Sequence, residues 1–365
     1  MQPRSVSAIN NQRSNLVTAA SRPRRSANSG SNWRQIVAQY QNPDVRHSVG
    51  QILTSLVPYF ALLVLMYFSL SVSYWLTLLL AIPAAGFMMR IFIIFHDCGH
   101  GSFFKNRKAN DIVGAITGVI TFTPYYRWRH AHAIHHATAG DLDRREAGDI
   151  WTMTVNEYQN ASPGKRLGYR IYRNPLVIFT FGAWLSFIVF QRFPVSERSR
   201  RQVMSILWTD LALLVVFVLA AVTIGLGNFL LVLVPVMMLG TSLGVWLFYV
   251  QHQFEGVYWE HHQDWDYSKA ALEGSSFYKL PRVLQWFSGN IGFHHIHHLS
   301  PRIPNYNLEK AWKENELFQV DPITLRSSLK SMTFRLWDED NKQLVGFGYL
   351  KTLPKKKVIP APVLE

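Results

Sequence analysis

Two apolar runs, Ile52 to Phe95 and Val203 to Val250, constrain this chain more than any other feature of its sequence. A helix needs about 20 apolar residues to cross the hydrocarbon of a bilayer, and each run is roughly twice that long. Each therefore predicts a pair of spans, residues 52–70 and 72–95 in the first run and 203–224 and 229–250 in the second. Buried hairpins of a water-soluble protein are the alternative, and runs of this length argue against it. The links inside each pair, Ser69 to Ser73 and Ile224 to Asn228, hold no Lys or Arg, whereas the flanking segments are rich in both. Positive charge beside span ends stays in the cytoplasm, so the links are expected outside and both termini, with His96 to Arg201, inside. The expected architecture is an all-α membrane protein, four transmembrane helices in two hairpins under a cytoplasmic helical cap.

The formal net charge of +14 raises the question of nucleic acid, because a basic surface attracts polyanions. The basic residues instead gather beside the predicted span ends, as in Lys105, Arg107 and Lys108, or Arg198, Arg200 and Arg201, where anionic lipid attracts them. No zinc-finger or RNA-binding signature accompanies them, so no nucleic-acid partner is expected. Cys98 is the single cysteine, which excludes an intrachain disulfide. Met1 to Asn32 is rich in Ser, Asn and Arg without an apolar core and reads as a disordered basic tail, not a signal peptide. This tail and an amphipathic lead-in from Trp33 make up residues 1–48, the main domain covers 49–342, and an exposed tail is expected over 343–365. Between the apolar runs, Asp111 to Thr123 and Pro175 to Phe190 are too short to cross and read as interfacial or half-buried helices, placed to shape a lid or lipid entrance.

Eight of the 14 histidines fall in three tight clusters. His96 and His100 stand about one helical turn apart, so both rings project from one face, as a metal-binding pair requires. His132, His135 and His136, and again His294, His297 and His298, repeat the form His-x-x-His-His. On a helix such a triplet shares one face, so its rings can divide between two closely spaced ions. Eight imidazoles exceed the four that one tetrahedral zinc accepts, which argues for two metals; the ligand type alone admits iron, copper, nickel or zinc. One histidine at a helix end is ordinarily a cap or a packed core residue, but three clusters of repeated form, interleaved with Trp, Phe and Ile, are not explained that way. A zinc protease is disfavoured, because Asp97 and not Glu follows the first histidine. A metal transporter would carry its ligands inside the spans, whereas these clusters lie outside the apolar runs.

His252, where the last apolar run ends, is a ninth candidate ligand; His261 and His262 read as surface residues, and His47, His130 and His295 carry no independent claim. Asp97, Asp141, Asp143 and Asp149 are candidates to fix imidazole tautomers or steady nearby arginines. Arg90, near the inner end of the second span, is expected to snorkel or to pair with one of those carboxylates.

In this order and at these positions the clusters resemble those of the membrane fatty acid desaturases, and the likeness covers nearly all of Val49 to Lys342. It is strongest in Arg90 to His100, Gly148 to Tyr158, and Gly289 to Pro301, and it points to bacterial acyl-lipid desaturases that act on membrane phospholipid. The resemblance implies a di-iron centre held by the eight clustered histidines with His252 as a ninth, O2 as cosubstrate, and a double bond introduced into an acyl chain of a membrane lipid. It also implies a cell-membrane location with the centre facing the cytoplasm, and electrons from a small carrier. The His-Pro-Gly-Gly motif of the fused cytochrome b5 forms does not occur, so a separate ferredoxin or flavodoxin is the expected donor. Asp97, Asp149 and Asn290 are expected behind the ligands, and Trp128, Arg129 and Trp151 beside the substrate, with Arg127, Trp246, Tyr249 and Trp286 as further candidates. The alternative is a related hydroxylase or ketolase. Which methylenes react is not legible, since neighbouring CH2 groups differ only in where they are held.

Overall fold

The protein is described by a computed structural model over residues 33–145, 149–194 and 199–354. The expectations for Met1 to Asn32 and for the chain beyond residue 354 lie outside these residues. Helix limits are set by caps and not by the edges of the apolar runs. After the short α1 (Trp33–Ala38), the Asp44 carboxylate accepts the backbone N–H groups of Arg46 (2.7 Å) and His47 (3.3 Å). Helix α2 (Val45–Ser69) therefore starts inside the expected lead-in. Helix α3 (Tyr74–His100) continues through the first histidine cluster and stops at Gly101, whose φ of 69° is left-handed. The buried hydroxyls of Ser69 and Thr77 meet at 2.7 Å and tie α2 to α3 across their link.

Helix α4 (Arg107–Ile120) occupies the first of the two expected short helices, and α5 (Tyr125–Thr138) carries the second histidine cluster. The Tyr125 hydroxyl donates to the Cys98 carbonyl (2.7 Å), which fixes α5 against α3. Strand β1 (Met153–Thr154), α6 (Val155–Asn160) and α7 (Pro163–Tyr172) lead to a π-helical turn, Val177–Phe181, that runs into α8 (Gly182–Ile188). Helix α7 meets the segment Val177–Arg192 at 64°. That segment ends on an ion pair between Arg192 and Asp210 (2.6 Å), the latter on α9 (Arg200–Thr223). Helix α10 (Leu226–His252) follows. Among the described residues, α2, α3, α9 and α10 are the helices long and apolar enough to cross a membrane. Their common core includes Tyr59, Met66, Ala81, Met88, Leu213 and Val236.

The rest of the chain is α11 (Tyr267–Glu273), β2 (Phe277–Lys279), α12 (Arg282–Phe287), α13 (His294–Leu299), α14 (Asn305–Glu314), β3 (Pro322–Thr324), α15 (Leu325–Ser328), β4 (Leu336–Asp338) and β5 (Gln343–Val345). The protein is thus mostly, not entirely, helical. Strand β1 pairs in parallel with β4, which pairs antiparallel with β5, and β2 pairs in parallel with β3. This corrects the expectation that the chain is an exposed tail from residue 343. Leu344 and Val345 are buried, and the turn that reverses the chain includes Lys342 at a φ of 48°. The apolar pairs Leu336-Trp337 and Leu344-Val345 fold back on one another because neither can bury its side chains alone.

Candidate metal centre

Helices α3 and α10 end at one place, and α5 and α13 pack there with the other two clusters. The nine candidate imidazoles meet at this place and sort into two groups. One holds His96, His100, His132, His136 and His297, the other His135, His252, His294 and His298, with the potential ligand atoms of each group within 4.8 Å of one another. The helical period accounts for the sorting. In each triplet the two histidines four apart stay together, His132 with His136 and His294 with His298, while the third, His135 or His297, turns to the other group. The rings of His136 and His298 stack at 4.1 Å between centroids and join the groups.

The nitrogens are arranged for cations and not for one another. The Nε2 of His136 lies 3.1 Å from that of His132 and 3.0 Å from that of His297; the Nε2 of His252 lies 3.2 Å from that of His135 and 3.0 Å from that of His294. A ring nitrogen has one proton or one lone pair, so it cannot satisfy two such neighbours by hydrogen bonding. Two nitrogens each ~2.1 Å from one ion and at right angles are ~3.0 Å apart, which matches the spacing found. In addition, Nε2 of His100 and Nε2 of His298 are buried without a hydrogen-bond partner, a cost that a bound ion removes. The donor set therefore fits two metal ions.

Burial and the charge of neighbouring imidazoles hold His132, His136, His294, His297 and His298 well below the usual histidine range. These rings are neutral at physiological pH and keep the lone pairs that ligation needs. Two carboxylates stand behind the groups, one for each. Asp97 accepts from Nδ1 of His96 (3.0 Å), and Asp149 accepts from Nδ1 of His135 (2.5 Å), which leaves Nε2 of both rings facing inward. Asp97 is itself held by Asn305, whose backbone N–H and side-chain Nδ2 donate to its second oxygen at 2.7 and 2.8 Å. Sequence reasoning missed Asn305. An asparagine at the start of a helix is ordinarily read as a cap, and only the folded chain brings it to the first cluster. Asn290 reaches this network indirectly, since its Nδ2 donates to the Asn305 carbonyl (3.3 Å).

The remaining candidates are placed as follows. Asp141 and Asp143 do not touch the two groups; Asp141 binds His262 (2.8 Å) and Arg144 (2.5 Å), and Asp143 binds His261 (2.9 Å). His295, though buried in the third cluster, points away and bonds the Phe318 carbonyl through Nε2 (2.9 Å). Trp128 stacks on His132, ring centroids 4.3 Å apart, and walls the first group from one side. Arg129 is engaged by Asp111 (3.1 Å), and Trp151 packs on Tyr169 and Tyr172. Among the described residues Arg90 pairs with no carboxylate, although such a pairing was one of the two alternatives expected for it. It lies over the Trp286 ring at 3.9 Å and donates to the Trp286 carbonyl.

Comparison with known proteins gives a consistent result. A model of the fatty acid desaturase family matches residues 73–322. The chain is 50% identical over 319 residues to a fatty acid desaturase of Bacillus subtilis (strain 168), covering 87% of this chain and 91% of that one. It is 30% identical over 237 residues to the sn-1 oleoyl-lipid 12-desaturase of Synechocystis, and 28% over 235 residues to an sn-1 acyl-lipid omega-3 desaturase (ferredoxin) of Nostoc. The latter two alignments each cover 60% of this chain and 62% of the relative.

Proposed function

The chain belongs to the fatty acid desaturase family, and on that premise we propose that it introduces a cis double bond into an acyl chain of a membrane lipid, with O2 as cosubstrate. The observation that carries the reading is the convergence of nine imidazoles into two adjoining groups at the ends of two apolar helices. His96, His100, His132, His136 and His297 would hold one iron, and His135, His252, His294 and His298 the other. When bound, the iron pair supplies the reduction of O2 and the removal of hydrogen from two adjacent methylenes, with water as the second product.

The protein's own share is placement. Asp97 and Asp149 keep a proton on Nδ1 of His96 and of His135, so that Nε2 of each presents its lone pair. Trp128, with Phe92 and Phe95 behind it, excludes water from the flank of the first group. Asparagine and carboxylate contacts anchor the third cluster to the first, so that both groups keep their spacing while an acyl chain lies against them. The four long helices would form two hairpins that bring both chain ends and the centre to the cytoplasmic face, where lysine and arginine are concentrated. The acyl-lipid names of the relatives support a phospholipid or another acyl lipid as substrate, and the ferredoxin in one of those names supports a ferredoxin or flavodoxin as donor.

Gas chromatography with mass spectrometry of total fatty acids from cells expressing the protein, with and without His252→Ala, tests the reading. A new unsaturated species is expected only with the intact chain. A hydroxylated lipid that retains label from O2 would point instead to the hydroxylase chemistry of related enzymes.

A further inference from the structure

The segment that leads into the third histidine cluster follows a course that hydropathy does not reveal. At Ser276 the backbone N–H bonds the Gln251 carbonyl (3.0 Å) at the histidine end of α10. The Tyr278 side chain then packs with Val250 and Trp246, a turn further along α10 from that end. Beyond Leu280 the chain crosses to α3. Trp286 and Phe287 pack edge-on against Phe87 at 5.8 and 5.1 Å, and Arg90 holds the Trp286 ring and carbonyl. From there it climbs back along α3, with Gly289 against Ile93 and Ile291 against Met89 and Ile93, until His297 faces His96 at 4.5 Å. Residues 277–291 thus make a V whose arms lie on α10 and α3, with α12 at the tip.

The depth of that tip follows from helix geometry. At ~1.5 Å rise per residue, Gly86 lies ~15 Å from His96 along α3, toward the middle of the span. With the edge of the ~30 Å hydrocarbon taken at Phe95, where the apolar stretch of α3 ends, a point ~15 Å back along the helix is well inside one leaflet. The contact with α3 is close because of two glycines. A Cβ on Gly86 would come within 2.9 Å of the Phe287 ring, and one on Gly289, whose φ is 53°, within 2.7 Å of Ile93.

At this depth α12 buries none of its six residues; Val283 is 66% exposed, Leu284 44% and Trp286 41%. The lipid-facing side of α3 continues the same surface with Leu79 and Ile82, both exposed. Backbone polar groups at membrane depth need internal partners, and the turn that follows α12 has them. The N–H groups of Ser288, Gly289 and Asn290 bond the carbonyls of Leu284, Trp286 and Gln285, and Gln285 Nε2 donates to Asn290 Oδ1 (3.0 Å). Arg282, exposed in the first turn, has a stem long enough to carry its charge back toward the headgroups.

We propose that α12 is a re-entrant element, inserted in the hydrocarbon of the leaflet that faces the histidine centre. Val283, Leu284 and Trp286 contact lipid acyl chains there. The element joins the lipid phase directly to the loop that bears His294, His297 and His298.

Because Cys98 is the single cysteine and is buried, labelling at introduced cysteines is selective. Val283→Cys and Leu284→Cys, each carrying an environment-sensitive fluorophore, are reconstituted in phosphatidylcholine nanodiscs. Leu79→Cys on α3 serves as the lipid-facing control and Lys313→Cys on α14 as the aqueous one. Lipid-borne nitroxide is expected to quench the labels at 283 and 284 as it quenches 79, with little loss of fluorescence to iodide in the water phase. Quenching by iodide at either position to the extent seen at 313 overturns the proposal. Fatty acid products measured with the same proteins report separately on desaturation, so the two readings fail independently.

Discussion

Replacing Asp97 by asparagine removes a charge and no volume, and its effect on the centre can be worked out from three hydrogen bonds. The carboxylate accepts from His96 Nδ1 at 3.0 Å and twice from Asn305, at 2.7 and 2.8 Å. An amide has one acceptor oxygen and one donor NH2 where the carboxylate had two acceptors. If the oxygen stays with Asn305, the NH2 meets His96, whose Nδ1 must then accept. The ring proton moves to Nε2, the nitrogen that faces the first group. If the oxygen turns to His96, the NH2 opposes two donors of Asn305. Either arrangement loses a buried bond to a charged group, about 1.5–3 kcal/mol. This agrees with the ~10–100-fold loss of metal affinity typical for residues behind a ligand, which is about 1.4–2.7 kcal/mol. The assay is iron retained per chain under chelator titration, by mass spectrometry of the metal, with Mössbauer spectra of the iron-57 form. Asp97→Asn should weaken one iron environment by that factor and leave the other nearly as it was. Asn305→Ala should do the same more mildly, and the double variant should be no worse than Asp97→Asn alone, because both act through one ring. Iron affinity within twofold of the unaltered protein for Asp97→Asn, with the fold intact, would refute this account of the carboxylate.

Three other outcomes can be measured. His252→Ala should remove the iron of the four-histidine group and about halve the iron per chain, with the five-histidine spectrum retained. His261 is held above its usual pKa by its bond to Asp143. A raised value means that its stabilising effect is fully present below the ordinary histidine pKa and fades as pH rises through the raised one. The difference in melting temperature between the unaltered protein and His261→Gln in detergent should therefore be present at mildly acidic pH and vanish in alkali, with salt reducing it. Gly86→Val should push Phe287 from its seat on α3 and lower product yield by gas chromatography while the iron content holds, since residue 86 touches no ligand.

The four long apolar helices and the convergence of the clustered histidines were legible for two reasons, run length for the first and helical spacing for the second. An apolar run of sufficient length has few folded alternatives, and histidines four apart on a helix share a face wherever that helix goes. Helix ends were less legible. Asp44 and Gly101 set them through local hydrogen bonds and a left-handed turn, and these do not coincide with changes in hydropathy. The tail boundary at residue 343 cut through a hairpin, although the polar stretch Asp338 to Lys342 between two apolar pairs carried a turn signal. Asn305 and the seat of α12 on α3 were not legible at all. The first depends on a contact between residues far apart in the chain. The second concerns a helix of six residues, too short for any hydropathy window, whose position is set by two glycines and a ring.

Strand β4 gives the molecule an order of assembly. It lies beside β1, which belongs to the segment between the second and third long helices, and the backbone carbonyl of Phe334 just before it receives the buried guanidinium of Arg173 (3.0 Å). On a ribosome these partners emerge long before residues 334–338 do. The loop that carries Asp149 must therefore wait, with all four long helices already synthesised, for the last part of the chain to seal it. A chain that stops short of Leu336 would lack the strand that pairs with β1, and the flank beside the second histidine group would stay open.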